Sequence, residues 1–169
     1  MTEAKEWLVQ WLRDAHAMEE QAETMMNGLL SRIENYPVLA ERIQQHVEET
    51  KRQASRLDQC LKILGEDSSA LKDAGGKMMA MAQSLSGVFA GDEILKGSLA
   101  SYSFENMEIA SYRILISAAT FLGESDIARL CEESLREEQQ MAKWLEDHLD
   151  ETTQMFLNRS LHEGVSEKR

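Results

Sequence analysis

From residue 2 to about residue 35, apolar side chains recur at alternating steps of three and four: Leu8, Leu12, Ala15, Ala22, Met26, Leu29 and Ile33. That spacing lines one face of a helix. Asn35-Tyr36-Pro37 ends it, and Pro37 suits the first turn of the next helix. A second stripe, Leu39, Ile43, His46, Gln53, Leu57 and Leu64, predicts a helix over about 37–64, with Gly65 as a left-handed stop. A third helix over about 92–122 carries Leu95, Tyr112, Leu115, Ala119 and Leu122 inward and stops at Gly123. Ser125 or Asp126 can cap a fourth, with Ile127, Cys131, Ser134, Met141, Leu145 and Leu149 inward, which turns polar after about Gln154. One proline and nine glycines in 169 residues leave long helices uninterrupted.

Loop lengths set the topology. About two residues join the first helix to the second, and the third to the fourth, so each pair is antiparallel. Residues 66–91 are too many for a turn. They hold Leu71, Met78, Met79, Met81 and Leu85, broken by Gly75-Gly76, and predict a crossover containing a short helix. The methionines are read as filling gaps between crossover and bundle. Two antiparallel hairpins joined by one long crossover make an all-α, ferritin-like four-helix bundle, with the second helix parallel to the third. A single domain over residues 1–160 is expected, followed by a polar tail over 161–169.

Composition narrows the partners. Thirty acidic against eighteen basic side chains give a formal charge of −12, which repels nucleic acid and anionic membrane. The longest apolar stretch, around Ile114 to Leu122, is broken by Ser117 and Thr120 and falls short of the ~20 residues of a membrane span. The charged N-terminus has no apolar signal core, so a reducing, cytoplasmic location is expected. Cys60 and Cys131 read as isolated small core residues rather than a disulfide or metal ligands.

Each helix places a glutamate on its dry face: Glu19, Glu49, Glu108 and Glu138. A buried, unpaired carboxylate is costly. In a hairpin, residues equally far from the loop lie side by side. Glu19 and Glu49 are 30 residues apart about a midpoint at residue 34, and Glu108 and Glu138 are 30 apart about residue 123. Both midpoints fall at loops, so the four carboxylates are expected to converge in one layer, with Glu105 one turn from Glu108. Such a cluster needs cations to stay ionised, and two divalent ions with oxygen ligands suit iron or manganese. The Glu-x-x-His pattern of di-iron bundles is missing: Arg52 and Gln53 follow Glu49, and Met141 and Ala142 follow Glu138. His16 and His46 each precede a layer glutamate by three residues. Either could ligate from that side, although such a histidine is commonly a hydrogen-bonded structural residue.

Four segments carry a family resemblance: Asp14-Ala-His-Ala-Met-Glu-Glu-Gln21, His46-Val-Glu-Glu-Thr50 through Gln53 to Arg56-Leu57, Glu105-Asn-Met-Glu-Ile-Ala-Ser-Tyr112, and Leu135-Arg-Glu-Glu-Gln139. Over nearly its whole length the chain resembles the bacterial YciE/YciF stress-response family of ferritin-like proteins, most closely the YciE branch. The third segment also resembles rubrerythrin. The resemblance implies Glu19, Glu49, Glu105, Glu108 and Glu138 as metal ligands, with Tyr112 beside the site. It also implies a homodimer with a cytoplasmic role in stress. Where relatives place His or Asp, this chain has Asn106, Gln53 and Ala142, which weighs against tight di-iron binding and redox turnover.

Two functions follow. The first is a di-metal carboxylate protein binding two iron or manganese ions and reacting with oxygen or peroxide, with Tyr112 donating a hydrogen bond or proton. The second is a metal-free, degenerate bundle acting as a dimeric interaction protein. There the carboxylates would be satisfied by protonation and by residues such as Arg52, and Trp7, Trp11 and Trp144 would pack a dimer surface or the bundle ends. No nucleophile triad, phosphate loop or zinc spacing is present in the sequence.

Overall fold

A computed structural model of the chain describes residues 2–67 and 91–162. The predicted crossover helix, with Leu71, Met78, Met79, Met81 and Leu85, and the end of the polar tail lie outside the described residues. Four helices make up the rest: α1 (Glu3–Leu30), α2 (Pro37–Ile63), α3 (Glu93–Phe121) and α4 (Ser125–Ser160). None of them is long and apolar enough to cross a membrane.

α1 packs against α2 and α3, and α4 against α3 and α2, leaving α1/α4 and α2/α3 as the diagonals of a square. Directions follow from paired residues. Arg13 of α1 donates to Glu66, just past the end of α2, at 2.8 Å, while the connecting loop joins the opposite ends of the two helices. Tyr112 reaches Glu19, and Arg32 pairs with Glu93, so α3 runs against α1. Cys60 meets Cys131, and fourteen residues earlier on α2 His46 lies beside Glu138, seven residues later on α4, so α4 runs against α2. α2 and α3 are therefore parallel, as the hairpin-crossover-hairpin topology requires. The predicted inward apolar residues form one continuous core, from Leu8 and Leu12 on α1 to Met141 and Leu145 on α4, except Leu149, which is half-buried outside it.

Both predicted glycine stops hold. Gly65 and Gly123 have φ of +77° and +75°. At each, two amides turn back onto the last-turn carbonyls: Gly65 to Lys62 and Glu66 to Leu61, Gly123 to Thr120 and Glu124 to Ala119. Two boundaries differ from expectation. α1 ends at Leu30, so six residues rather than two form the first loop. Asn27-Gly28 is a weak helix former. The Ser31 hydroxyl caps the Gly28 carbonyl at 2.8 Å, and Ile33 and Tyr36 fold in to close the bundle end. α4 starts at Ser125 itself, with Glu124 at the cap position and no side-chain cap. It runs on to Ser160, because Met155 and Phe156 still pack on the core.

One face remains apolar. Trp7 and Trp11 stack with ring centroids 6.1 Å apart. With Ile114 and Phe121 of α3 they border a groove of about 570 Å³, and all four are exposed, Phe121 most of all at 86%. Trp144 instead is half-buried and stacks on His148 at 3.8 Å.

Candidate metal centre

The interruptions in the four stripes meet inside the bundle. Glu19 from α1, Glu49 from α2, Glu105 and Glu108 from α3 and Glu138 from α4 are all buried. They share this layer with one imidazole, that of His46, which is fully buried on α2. The helices deliver these groups because each glutamate keeps the register of its apolar stripe, so packing the stripe carries the carboxylate inward.

His46 is the hub. Its Nε2 lies 3.0 Å from Glu105 Oε2 and 3.6 Å from Glu138 Oε2. Its Nδ1 lies 2.5 Å from Glu49 Oε2. The same Glu49 oxygen accepts from Arg42 Nη1 and Nη2 at 3.3 and 3.4 Å. Glu19 accepts a 2.5 Å hydrogen bond from the Tyr112 hydroxyl on Oε1, while its Oε2 has no donor. Both oxygens of Glu108 and both of Glu138 are buried without a hydrogen-bond donor among the described residues. One ligand atom each from His46, Glu105, Glu108 and Glu138 falls within 4.8 Å of the other three. Around a single ion with ligands about 2.1 Å away, opposite ligand atoms lie about 4.2 Å apart, so a contraction of under about 1 Å closes the set.

The electrostatics describe a site short of positive charge. Burial, then repulsion from Glu138, raises Glu19 well above the ordinary carboxylate range, against the lowering effect of the Tyr112 hydroxyl. Burial likewise raises Glu108, with Glu138, Glu19 and Glu105 adding repulsion. Glu138 is pushed up to about 8 by burial and Glu105, partly offset by His46. Burial alone would lower His46, but Glu105, Glu138 and Glu49 outweigh it and hold the ring protonated well above its usual value. Burial would raise Glu49, but His46 and Arg42 outweigh it and keep it ionised. Burial and the Glu19 carboxylate raise the Tyr112 phenol, which therefore keeps its proton.

All five predicted glutamates and Tyr112 thus stand in or beside one layer. His46 is the group sequence reasoning left undecided, and its His-x-x-Glu spacing to Glu49 was the available signal. His16, with the same spacing to Glu19, faces away, 3.4 Å from Asp58 and 3.9 Å from Glu20. The arginine at the site is Arg42, not Arg52, which is exposed. A supporting layer lies next to the site: Arg56 holds both oxygens of Glu137 at 2.8 and 2.9 Å, and Gln53 donates to Glu137 at 3.0 Å. Cys60 and Cys131 are not isolated. Both are free and buried, and the antiparallel register of α2 and α4 brings the thiols into hydrogen-bonding contact, which with burial pushes the Cys131 thiol up.

The donor set fits a divalent cation. Glu108 and Glu138 offer four buried oxygens that no donor among the described residues satisfies, and three carboxylates with one imidazole suit iron or manganese. Fold and site together define a ferritin-like bundle with a carboxylate-lined interior. Residues 3–158 match the family described as "Domain of unknown function (DUF892)", and the chain belongs to that family. It is similar to the crystal structure of a protein from Xanthomonas campestris pv. campestris, at 42% identity and a TM-score of 0.81 over 95% of this chain and 100% of that one. It is also similar to the E. coli stress protein YciF, at 25% identity and a TM-score of 0.75 over 88% and 96% of the two chains. Ferritin-like, diiron-carboxylate proteins from Bacillus anthracis share the fold at 17% identity and a TM-score of 0.73, over 88% of this chain and 99% of that one.

Proposed function

We propose that this chain is a metal-binding ferritin-like protein that holds iron or manganese among Glu105, Glu108, Glu138 and His46, and serves a stress response. The observation that carries this is the pair of buried carboxylates, Glu108 and Glu138, with no hydrogen-bond donor on any of their four oxygens among the described residues. The ion pair of Glu138 with His46, at 3.6 Å, answers only part of this charge, and a cation would answer the rest. A bound iron or manganese ion supplies Lewis acidity and redox capacity towards oxygen or peroxide. The chain's own contribution is a buried set of carboxylates and a phenol, Tyr112, that keeps its proton against Glu19. Ligation of two ions, as the sequence predicts, would draw Glu19 from Tyr112 and Glu49 from His46 and Arg42. The kinship with the YciE branch, the cytoplasmic location and the homodimer belong to the same proposal. The exposed groove around Trp7, Trp11, Ile114 and Phe121 is the apolar surface open to a second copy.

One set of contacts favours a metal-free interaction protein instead. His46 already bridges Glu49 and Glu105, and a proton shared at Glu138 relieves part of the repulsion. Metal uptake separates the two. The untagged full chain, offered iron(II) without oxygen or manganese(II), should take up the ion and melt several degrees higher by mass action. A chain that takes up neither ion removes the proposal.

A further inference from the structure

His46 joins two different sets of neighbours through its two ring nitrogens. Nε2 faces the carboxylates of Glu105 and Glu138, at 3.0 and 3.6 Å. Nδ1 faces Glu49 at 2.5 Å. A ring nitrogen tied to a carboxylate fixes the tautomer and orientation of the imidazole and raises the basicity of the other nitrogen. Glu49 is itself tied back, because Arg42, with a side chain only 11% exposed, donates to the same oxygen. Its charge is therefore answered by protein. On the other side of the layer Glu19 is engaged by Tyr112. Among the described residues, both oxygens of Glu108 and of Glu138 and the second oxygen of Glu19 are left without a hydrogen-bond donor, beside Glu105 and the inward nitrogen of His46, which pairs with Glu138 at 3.6 Å.

A second ion would need a second set of donors, and among the described residues no second histidine faces the layer. Gln53, buried one turn after Glu49, stands where a second histidine would, and its amide nitrogen donates to Glu137 while its oxygen has no donor among the described residues. Met141 and Ala142 stand one turn after Glu138. His16, which matches His46 in spacing, faces Asp58 at 3.4 Å.

We propose, resting on the metal-centre assignment above, that the centre is built for one ion. In it His46 Nε2 ligates together with Glu105, Glu108 and Glu138, and Glu49 is a positioning residue that aims His46 under the restraint of Arg42. Binding would require His46 Nε2 to release its proton to solvent, while the proton on Nδ1 stays in the hydrogen bond to Glu49.

Manganese(II) added to the untagged full chain tests this by equilibrium dialysis and electron paramagnetic resonance. Wild type should bind about one equivalent per chain at a histidine–carboxylate site. It should show the hyperfine sextet of an uncoupled ion and a nitrogen coupling by pulsed methods. His46→Gln should remove the nitrogen coupling. Glu49→Ala should keep the stoichiometry and the nitrogen coupling but weaken binding about 10–100-fold, with partial rescue in Glu49→Gln, whose amide oxygen still accepts from Nδ1. Two equivalents with a spin-coupled multiline signal would overturn the inference while leaving a metal protein. So would a wild-type spectrum without nitrogen coupling, which requires no variant to fold. No binding at all would overturn both this inference and the function it rests on.

Discussion

Glu138 concentrates the chemistry of the site. It sits fully buried on α4, faced by Glu105, Glu108 and His46, and its pKa is pushed up to about 8. An unfolded glutamate releases its proton near about 4.3. Between those values the folded, metal-free chain holds a proton that the unfolded chain has lost, so stability falls as pH rises. His46 acts in the same direction. Its raised pKa favours the fold fully below about 6.5 and loses that contribution as pH climbs through the folded value. In chelator, the melting temperature should therefore drop between about pH 6 and about pH 8.5. Glu138→Gln should flatten that decline. At the alkaline end it should raise melting by several degrees, about what 2 kcal/mol of relieved burial and repulsion gives for a domain of this size. Calorimetry across the pH range reads both effects. A metal-free wild type that grows steadily more stable up to about pH 8.5 would contradict the charge distribution described here.

At the scale of elements, most of the architecture was legible in the chain, because helix stripes, glycine stops and loop lengths are local signals. Gly65 and Gly123 were read correctly since only a left-handed residue lets the following amides turn back on the helix. The α1–α2 loop was misjudged because Ile33 continues the apolar period of α1 yet packs from a loop, where tertiary contact rather than helix geometry buries it. The convergence of the glutamates was legible through hairpin symmetry, which needs only counting. The part played by His46 was not. Which way an imidazole turns depends on neighbours from other helices, here Glu105 and Glu138, and His16 with identical spacing turns away. The contact of Cys60 with Cys131 likewise depends on the α2–α4 register, 71 positions apart in the chain. The glycine stops also predict an outcome. Gly123→Ala forces a side chain into φ of +75° and should cost about 1–2 kcal/mol, read as a lower denaturation midpoint with unchanged slope. An unchanged midpoint would mean that the α3–α4 turn does not rely on that conformation.

The whole molecule is an acidic bundle with a formal charge of −12 and an exposed apolar groove between the start of α1 and the end of α3. The residues bordering the groove include Arg113 and no acid, so two copies could meet there with little carboxylate repulsion. Sedimentation equilibrium of the full chain should give twice its 19.2 kDa mass, and Phe121→Glu should shift it towards monomer. A wild-type monomer would remove the homodimer, and a variant that stays dimeric would move the interface elsewhere. The interior asks the sharper question, whether the carboxylate layer exists to hold metal. Elemental analysis of the untagged full chain, purified without chelator, answers it most directly when Glu138→Gln is measured beside wild type. Iron or manganese should be present at about one equivalent per wild-type chain and largely lost from the variant, which still folds. Wild-type protein without either metal, or a variant that retains the full amount, would contradict a metal centre at Glu105, Glu108, Glu138 and His46.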